Sequence, residues 1–425
     1  MSFGCSSRGK VLSLTLLIPL TSSLPIVELI IQTQKTMKIV YCTNRIYKMG
    51  GLEIITIVKA NALAEIPGNQ VWIALADNSY STIKRLKKVS VLDLAVHYYA
   101  EDDQGYWHAI MDLQKKRKYH RQRLEQMLND INPDVVISTG MAAKRFIPKL
   151  KIKSNPIFIM ELHSSRHLNM HLAQRWRDKL ISKMGEIYDN AFVLKKYDRI
   201  VVLTEAEKTG AWKNFNNITV MPNPLVSQIP DCSTCETKIA ITAGRFEWVK
   251  NFESLINIWA KVTLRHPEWV LQLWGQGPDE EKIKAQIERM GMQGHIFIMG
   301  YTSEMQKKMS EASVFVLASR SEGFSLTTIE AMSVGIPTVV YNCPGGIRYV
   351  VKDGVTGFLV PLNDENAYVE AICKLIENEE LRKKMGQAAL KEAEKYRLDG
   401  IISRWMDLFQ ELLDKKRGQR NDHLV

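Results

Sequence analysis

The sequence predicts an α/β protein made of two similar-sized, doubly wound parallel-sheet domains facing across a cleft. Three observations carry that expectation. From Met37 onward, short β-rich runs alternate with helical patterns, as parallel sheets covered by helices require. A polar stretch punctuated by Pro222, Pro224 and Pro230 interrupts the alternation near its middle. A length of 425 residues suits two or three domains of about 100–200 residues each.

In the first series the strand candidates are 38–42, 71–76, 134–138, 156–161 and 199–203, with helical stretches at 52–65 and 108–129 between them. Thr204 and Glu207 have capping-box spacing, so a helix is expected just after the strand ending at Leu203. The second series places strands at 238–243, 269–274, 295–299, 314–318 and 337–341. Its helices fall at 251–265, 279–291, 303–311 and 325–335, and three more, near 364–376, 379–394 and 399–414, finish the chain. The expected organisation is an extension over 1–36, a first domain over 37–222, a linker over 223–237, a second domain over 238–398, and a helix with a basic tail over 399–425.

Residues 11–31 are apolar and follow Arg8 and Lys10, in the manner of a signal peptide or membrane anchor. Against that, Pro19, Pro25 and Glu28 interrupt the run, and no clear small-x-small cleavage site follows. A loose extension outside the fold is the favoured reading, with anchor and signal as alternatives.

Composition narrows the class. The chain is 45% hydrophobic and 24% charged, which excludes disorder and fibrous classes. Six cysteines in a chain this long do not form a disulfide framework, so a reducing compartment is expected. The net charge of +11 is unevenly spread. Residues 37–222 hold 29 Lys+Arg against 18 Asp+Glu, whereas residues 223–425 hold 25 against 27. The excess is clumped at Lys84–Lys88, at Lys115–Lys118 with Arg121 and Arg123, and at Lys149, Lys151 and Lys153. Tyr98, Tyr99, Tyr106 and Trp107 precede the middle clump. Cations beside aromatics suit an anionic lipid surface, and a generally basic soluble face is the alternative. Nucleic acid is not expected, because no nucleic-acid module is present.

Chemistry-bearing residues cluster after the second-half strands. The turn Glu322-Gly323-Phe324-Ser325-Leu326 follows the strand 314–318 and opens a helix that carries Glu330. Open α/β sheets bind ligands at such strand ends, and helix-start amides hold anions. On spacing alone, Glu322 is equally a cap and Glu330 equally a solvated helix residue. After the strand 238–243, Gly244-Arg245 and Lys250-Asn251 offer two cations that can clamp a diphosphate, unless they are ordinary surface charges. Gly275-Gln276-Gly277-Pro278 ends another strand, and Gly50-Gly51 separates the first strand from the first helix. His163 follows the strand 156–161; a structural role is open for it, and His167 is a competitor. Cys232-x-x-Cys235 lacks a second ligand pair and reads as chance. No Gly-x-Gly-x-x-Gly follows the first strand, which disfavours a dinucleotide oxidoreductase.

Together these motifs resemble the retaining GT-B glycosyltransferases of glycosyltransferase family 4, the group 1 transferases, over residues 37–415. The likeness is densest over 239–362: Gly-Arg…Lys-Asn at 244–251, Glu-Gly-Phe-Ser…Glu-Ala at 322–331, Gly335–Val340, Pro344-Gly345-Gly346, and Asp353–Val360. The family's Glu after Pro-Gly-Gly is replaced here by Ile347-Arg348-Tyr349. The resemblance implies two Rossmann-like domains, with the C-terminal helix packing back on the first. It implies that Arg245 and Lys250 bind the donor diphosphate and that Glu330 accepts from the ribose hydroxyls. Glu322 and the amides of Gly323, Phe324, Ser325 and Leu326 would hold the sugar and phosphate. Gly244, Gly275, Gly277, Met299 and Tyr301 would frame the nucleotide. Gly50 and Gly51 would let the first domain approach, and His163 would meet the sugar near the reacting carbon.

The implied activity is retaining transfer of a hexose or N-acetylhexosamine from a nucleotide-diphosphate sugar, expected to be UDP-linked. The acceptor is a glycan or lipid-linked saccharide in envelope polysaccharide synthesis. No metal or other cofactor is expected, since no Asp-x-Asp occurs and cations with a helix start can neutralise the diphosphate. The expected location is cytoplasmic, peripheral on the membrane face. The alternatives are an inactive nucleotide-sugar-binding subunit, which has no need to keep Arg245, Lys250, Glu322 and Glu330 together, and a related GT-B synthase or phosphorylase.

Overall fold

The computed structural model describes residues 36–44, 51–76, 86–96, 106–139, 143–163, 176–225 and 231–422. Gly50, His167, Lys84, Arg85, Tyr98, Tyr99 and the apolar run 11–31 lie outside them. The first half begins with β1 (Lys38–Thr43), α1 (Gly51–Glu65), β2 (Gln70–Leu75) and β3 (Val89–Asp93). It continues through α2 (Tyr106–Ile131), β4 (Val135–Ser138), β5 (Ile157–Glu161), α3 (Trp176–Phe192), β6 (Arg199–Val202), α4 (Glu205–Thr209) and β7 (Ile218–Val220). The second half comprises β8 (Ile239–Ala243), α5 (Phe252–Thr263), β9 (Val270–Trp274), α6 (Glu280–Arg289), β10 (Ile296–Gly300), α7 (Met305–Ser310), β11 (Val314–Leu317) and α8 (Leu326–Ser333). It ends with β12 (Thr338–Tyr341), α9 (Ile347–Val350), β13 (Gly357–Val360), α10 (Glu365–Glu377), α11 (Glu379–Ala393) and α12 (Leu398–Asp422).

Among the described residues these strands form two wholly parallel sheets, ordered β3-β2-β1-β4-β5-β6-β7 and β10-β9-β8-β11-β12-β13. Each sheet winds outward in both directions from its first strand, so strand order reverses between β1 and β4 and again between β8 and β11. Loops leaving those pairs diverge to opposite faces and open a crevice at the carboxyl ends. The central strands are buried on both faces, as their continuous apolar runs require; Val135–Ser138 and Val314–Leu317 are buried throughout. The strands β3, β7 and β13 were not expected from the sequence. β3 and β7 are sheet edges, and β13 ends the second sheet. Edge strands have one unpaired side and weak patterning.

The last helix crosses back to the first half. Ile401, Trp405, Phe409 and Leu412 of α12 are buried with Ile39, Tyr41, Ile137 and Ile159 of the first sheet. Burial of side chains this large is worth about 1.5–3 kcal/mol each. Arg199–Glu411 at 2.6 Å and Lys416 Nζ donating to the Pro156 carbonyl at 2.7 Å fix the helix on that surface. The halves also touch directly. A Cβ on Gly51 would lie 3.3 Å from Leu326 Cδ1, and one on Gly346 would lie 2.9 Å from Thr204 Cγ2. The expected capping box at the start of α4 forms, with Thr204 Oγ1 accepting from the Glu207 amide at 3.4 Å; the Glu207 carboxylate reaches the amide of Leu203. Residues 231–237 are less loose than a linker: the Ser233 amide donates to Val334, and buried Cys235 packs on Gly335. Packing is therefore what this cysteine does in the fold.

A buried ion pair lies beneath the first-sheet crevice. Lys59 of α1 meets Glu161 at the end of β5, both with 1% of the side chain exposed, and the ammonium is 4.9 Å from the Trp405 ring of α12. Burial alone would raise the Glu161 carboxyl, but Lys59 and His163 outweigh it and hold it at about 2. Breaking a buried pair strands a charge, whereas removing both partners does not. Lys59→Met should therefore lower stability by about 3–5 kcal/mol. Lys59→Met with Glu161→Met should recover much of that loss, read from chemical denaturation of both variants.

Candidate active site

The second-half switch point gathers the residues singled out in the sequence. Arg245 and Lys250 follow β8, and the Glu322–Leu326 turn follows β11, the neighbouring strand in the sheet. Lys250 Nζ donates to Glu322 Oε1 at 2.7 Å, so the two loops are joined by a largely buried ion pair. Gly244 packs against the methylene stem of Lys250, where a Cβ would meet Cδ and Cε at 3.4 Å. Arg245 is half exposed and paired with Glu247 at 2.6 Å, a surface pairing that a stronger anion can displace.

A second brace was not legible in the motifs. Arg320, between β11 and the turn, stacks its guanidinium 4.7 Å from the Trp248 ring and donates to the Trp248 carbonyl, while its amide donates to Val249 at 2.8 Å. The exposed Trp248 and the Arg on the next strand's loop were the available signal. These contacts hold the β8–α5 loop against the β11–α8 turn.

The Pro344-Gly345-Gly346 turn supports Glu322 from below. The Glu322 amide donates to Pro344 at 3.1 Å, and Gly346 donates back to the Glu322 carbonyl at 2.8 Å. Gly345 has φ +115°, and a Cβ there would fall 1.9 Å from the Glu322 carbonyl oxygen. Only glycine can be accommodated. This backbone clamp uses no side chain from 347–349, and Ile347 is buried in the neighbouring core.

Ser325 begins α8 in the left-handed conformation, φ 55°, a costly state for a residue with a Cβ. Its hydroxyl meets Thr328 Oγ1 at 2.7 Å. The turn thus aims the first amides of an eight-residue helix toward the switch point, where an anion gains from the helix dipole. Phe324 is buried with its ring 5.4 Å from Tyr396, so its side chain is engaged in packing. Leu326 faces Gly51 across the two halves.

The Gly275-Gln276-Gly277 loop turns out to be closely packed. Gly275 has φ +139°, and a Cβ there would overlap the Gly244 carbonyl at 1.9 Å; one on Gly277 would collide with the Phe246 backbone at 2.5 Å. These glycines seat the β9 loop against the β8 loop. Met299 and Tyr301 lie at the end of edge strand β10, exposed, beside Gly275, whose amide donates to Gly300 at 2.8 Å.

His163 is mostly buried at the end of β5, its Nε2 3.2 Å from Glu161 Oε1. Lys59 was missed in the sequence, although it falls one helical turn from Ile55 and Leu63 on the buried face of α1. Among the described residues one trio has metal-ligand atoms within 4.8 Å, namely His266, Cys373 and Glu377, but Arg265 already pairs with Glu377 at 2.9 Å.

Two facing doubly wound sheets with a helix returning to the first define the GT-B class of glycosyltransferase. Residues 234–392 match the family model described as glycosyl transferases group 1. The chain is 26% identical to an uncharacterised glycosyltransferase of Haemophilus influenzae, over 87% of this chain and 98% of that protein. It is 30% identical to the poly(glycerol-phosphate) alpha-glucosyltransferase of Bacillus subtilis over 72% of this chain, but spans only 45% of that protein. In structure it is similar to S. aureus TarM, solved with fondaparinux, alpha-GlcNAc-glycerol and UDP. There the TM-score is 0.70 at 15% identity, covering 88% of this chain and 100% of that one. The resemblance to group 1 transferases is borne out, and the chain is a GT-B glycosyltransferase.

Glu330 carries a testable titration. Part of the residue reaches the surface, yet its carboxyl is enclosed, and burial pushes it up to about 7 from an ordinary 4.5. Folding then favours the protonated form. That stability is complete below pH 4.5 and is lost as pH rises through about 7. Glu330→Gln should therefore gain on the wild type by at least about 1 kcal/mol between pH 5 and pH 8, measured by urea unfolding at each pH. A constant difference would remove the enclosed carboxylate from the account.

Proposed function

We propose that the protein transfers a hexose or N-acetylhexosamine, with retention, from a nucleotide-diphosphate sugar to a hydroxyl of a glycan or lipid-linked saccharide in envelope polysaccharide synthesis. The observation that carries this reading is Lys250 meeting Glu322 at 2.7 Å at the switch point, with Arg245 on the same loop and the start of α8 on the next. A diphosphate entering there would take Lys250 from Glu322 and Arg245 from Glu247, exchanging two carboxylate pairings for charge-assisted phosphate contacts. Lys250 and Arg245 with the first amides of α8 supply the neutralisation without a metal.

In the reaction, the bond between the anomeric carbon and the phosphate oxygen breaks as the acceptor oxygen bonds to the same face of that carbon. The acceptor proton passes to the departing phosphate oxygen, so atoms balance and no enzyme nucleophile takes part. Positive charge is needed most as the phosphate departs, where Arg245 and Lys250 act. Glu330, as carboxylate, accepts from the ribose hydroxyls. His163, beside Glu161, meets the sugar from the first half. Retention is supported by the relative named an alpha-glucosyltransferase, since an alpha-linked donor giving an alpha product keeps its configuration. UDP is supported by the TarM complex, which contains it. The basic excess in 37–222 supports a peripheral position on the cytoplasmic membrane face. Among the described residues no helix is long and apolar enough to cross a membrane.

Arg245→Ala and Lys250→Ala should each reduce transfer from a UDP-sugar by about 10²-fold or more. Arg245→Ala, which removes an exposed pairing, should leave the unfolding midpoint little changed, and Lys250→Ala, which leaves Glu322 unpaired, should lower it while the protein stays folded. Turnover near wild type in both would reject the assignment.

A further inference from the structure

Among its described side chains, α3 turns its large apolar residues outward. Its inward side carries Gly185 and Asp189; Asp189 is buried and held by Lys144 at 2.7 Å and Arg145 at 2.6 Å, and Arg145 also donates to the Gly185 carbonyl. Its outward side carries Leu180, Met184, Ile187, Tyr188 and Phe192, each 44–62% exposed. Spaced at i, i+4, i+7, i+8 and i+12, these five form one stripe along the helix. The Asp189 pairs lock this orientation, because turning the stripe inward would pull a buried carboxylate from two cations. An apolar stripe held outward in this way marks a surface that meets something apolar.

Charge selects the occupant. Arg145 and Lys149 lie 5.4 and 5.9 Å from the Tyr188 ring, so cations border the stripe itself. Lys183 on the helix and Lys195 and Lys196 just beyond its end are exposed, with Glu186 the acid among these described neighbours. The basic face of α2, with Lys115, Arg117 and Lys118 exposed, joins the same region: His120 packs edge-on against Phe146, next to Arg145, at 5.0 Å. A second copy docking by twofold symmetry would set this cationic border against itself. An anionic lipid surface satisfies both features, taking the apolar side chains below its headgroups and the cations among them.

We propose that α3 lies on an anionic phospholipid bilayer through Leu180, Met184, Ile187, Tyr188 and Phe192, with the surrounding lysines and arginines on its headgroups. This rests on the peripheral-membrane reading above and names the surface that performs it. Docked so, the first half is held at the membrane where a lipid-linked acceptor presents its sugar.

The test is sedimentation of the full chain with phosphatidylcholine vesicles and with vesicles also containing phosphatidylglycerol. The wild type should bind the anionic vesicles and lose that binding as salt is raised. Ile187→Asp with Phe192→Asp should weaken it by about tenfold or more, with transfer to a water-soluble acceptor unchanged. Leu180→Ala with Ile187→Ala, a milder pair, should weaken it in the same direction and guards against misfolding of the aspartate variant. Equal binding by wild type and both variants overturns the α3 assignment and leaves the membrane reading in place. A wild type with no preference for anionic vesicles overturns both. A wild-type dimer that the aspartate variant dissolves, with vesicle binding unchanged, assigns the stripe to a second copy instead.

Discussion

The ion pair between Lys250 and Glu322 is the contact on which the candidate site depends. It joins loops from adjacent strands, β8 and β11, at the place where sheet order reverses, and its near-burial makes its geometry costly to lose. Everything around it serves to hold those two loops. Arg320 stacks on Trp248 above, the Pro-Gly-Gly turn clamps the Glu322 backbone below, and Gly244 leaves room for the Lys250 stem. The outcome is a paired cation on the β8 loop and a helix start on the β11 turn, held at neighbouring strand ends.

The first half contributes through a second buried pair. Lys59 and Glu161 lie under the end of β5, and His163 Nε2 lies 3.2 Å from Glu161 Oε1. Trp405 of α12 covers the Lys59 ammonium, so a helix that follows the second domain in sequence completes the first domain's polar core. Close approaches at Gly51–Leu326 and Thr204–Gly346 bring the halves together beside the donor-side turn.

The central strands and most helices were legible because both-face burial writes itself as runs such as Val314-Phe315-Val316-Leu317. The site was legible for a related reason: strand ends place Arg245, Lys250 and the Glu322 turn at predictable positions along the chain. What escaped was set by tertiary contact. The strands β3, β7 and β13 are short and flank better-patterned neighbours. The pairing of Lys59 with Glu161 spans 102 residues, and no local pattern announces it. The apolar spacing of α3 was readable as helical, but which side faces outward is set by tertiary contact, the pairing of Asp189 with Lys144 and Arg145. The packed state of Gly275 and Gly277 likewise depends on the loop that follows β8, earlier in the chain.

The central claim is that Lys250 leaves Glu322 for a donor phosphate. Calorimetric titration of UDP into the wild type and into Lys250→Met, with the unfolding midpoint of each recorded alongside, tests it most directly. The account predicts that the wild type binds UDP and that Lys250→Met binds it about tenfold or more weakly while remaining folded. Equal affinity in the two proteins would contradict it.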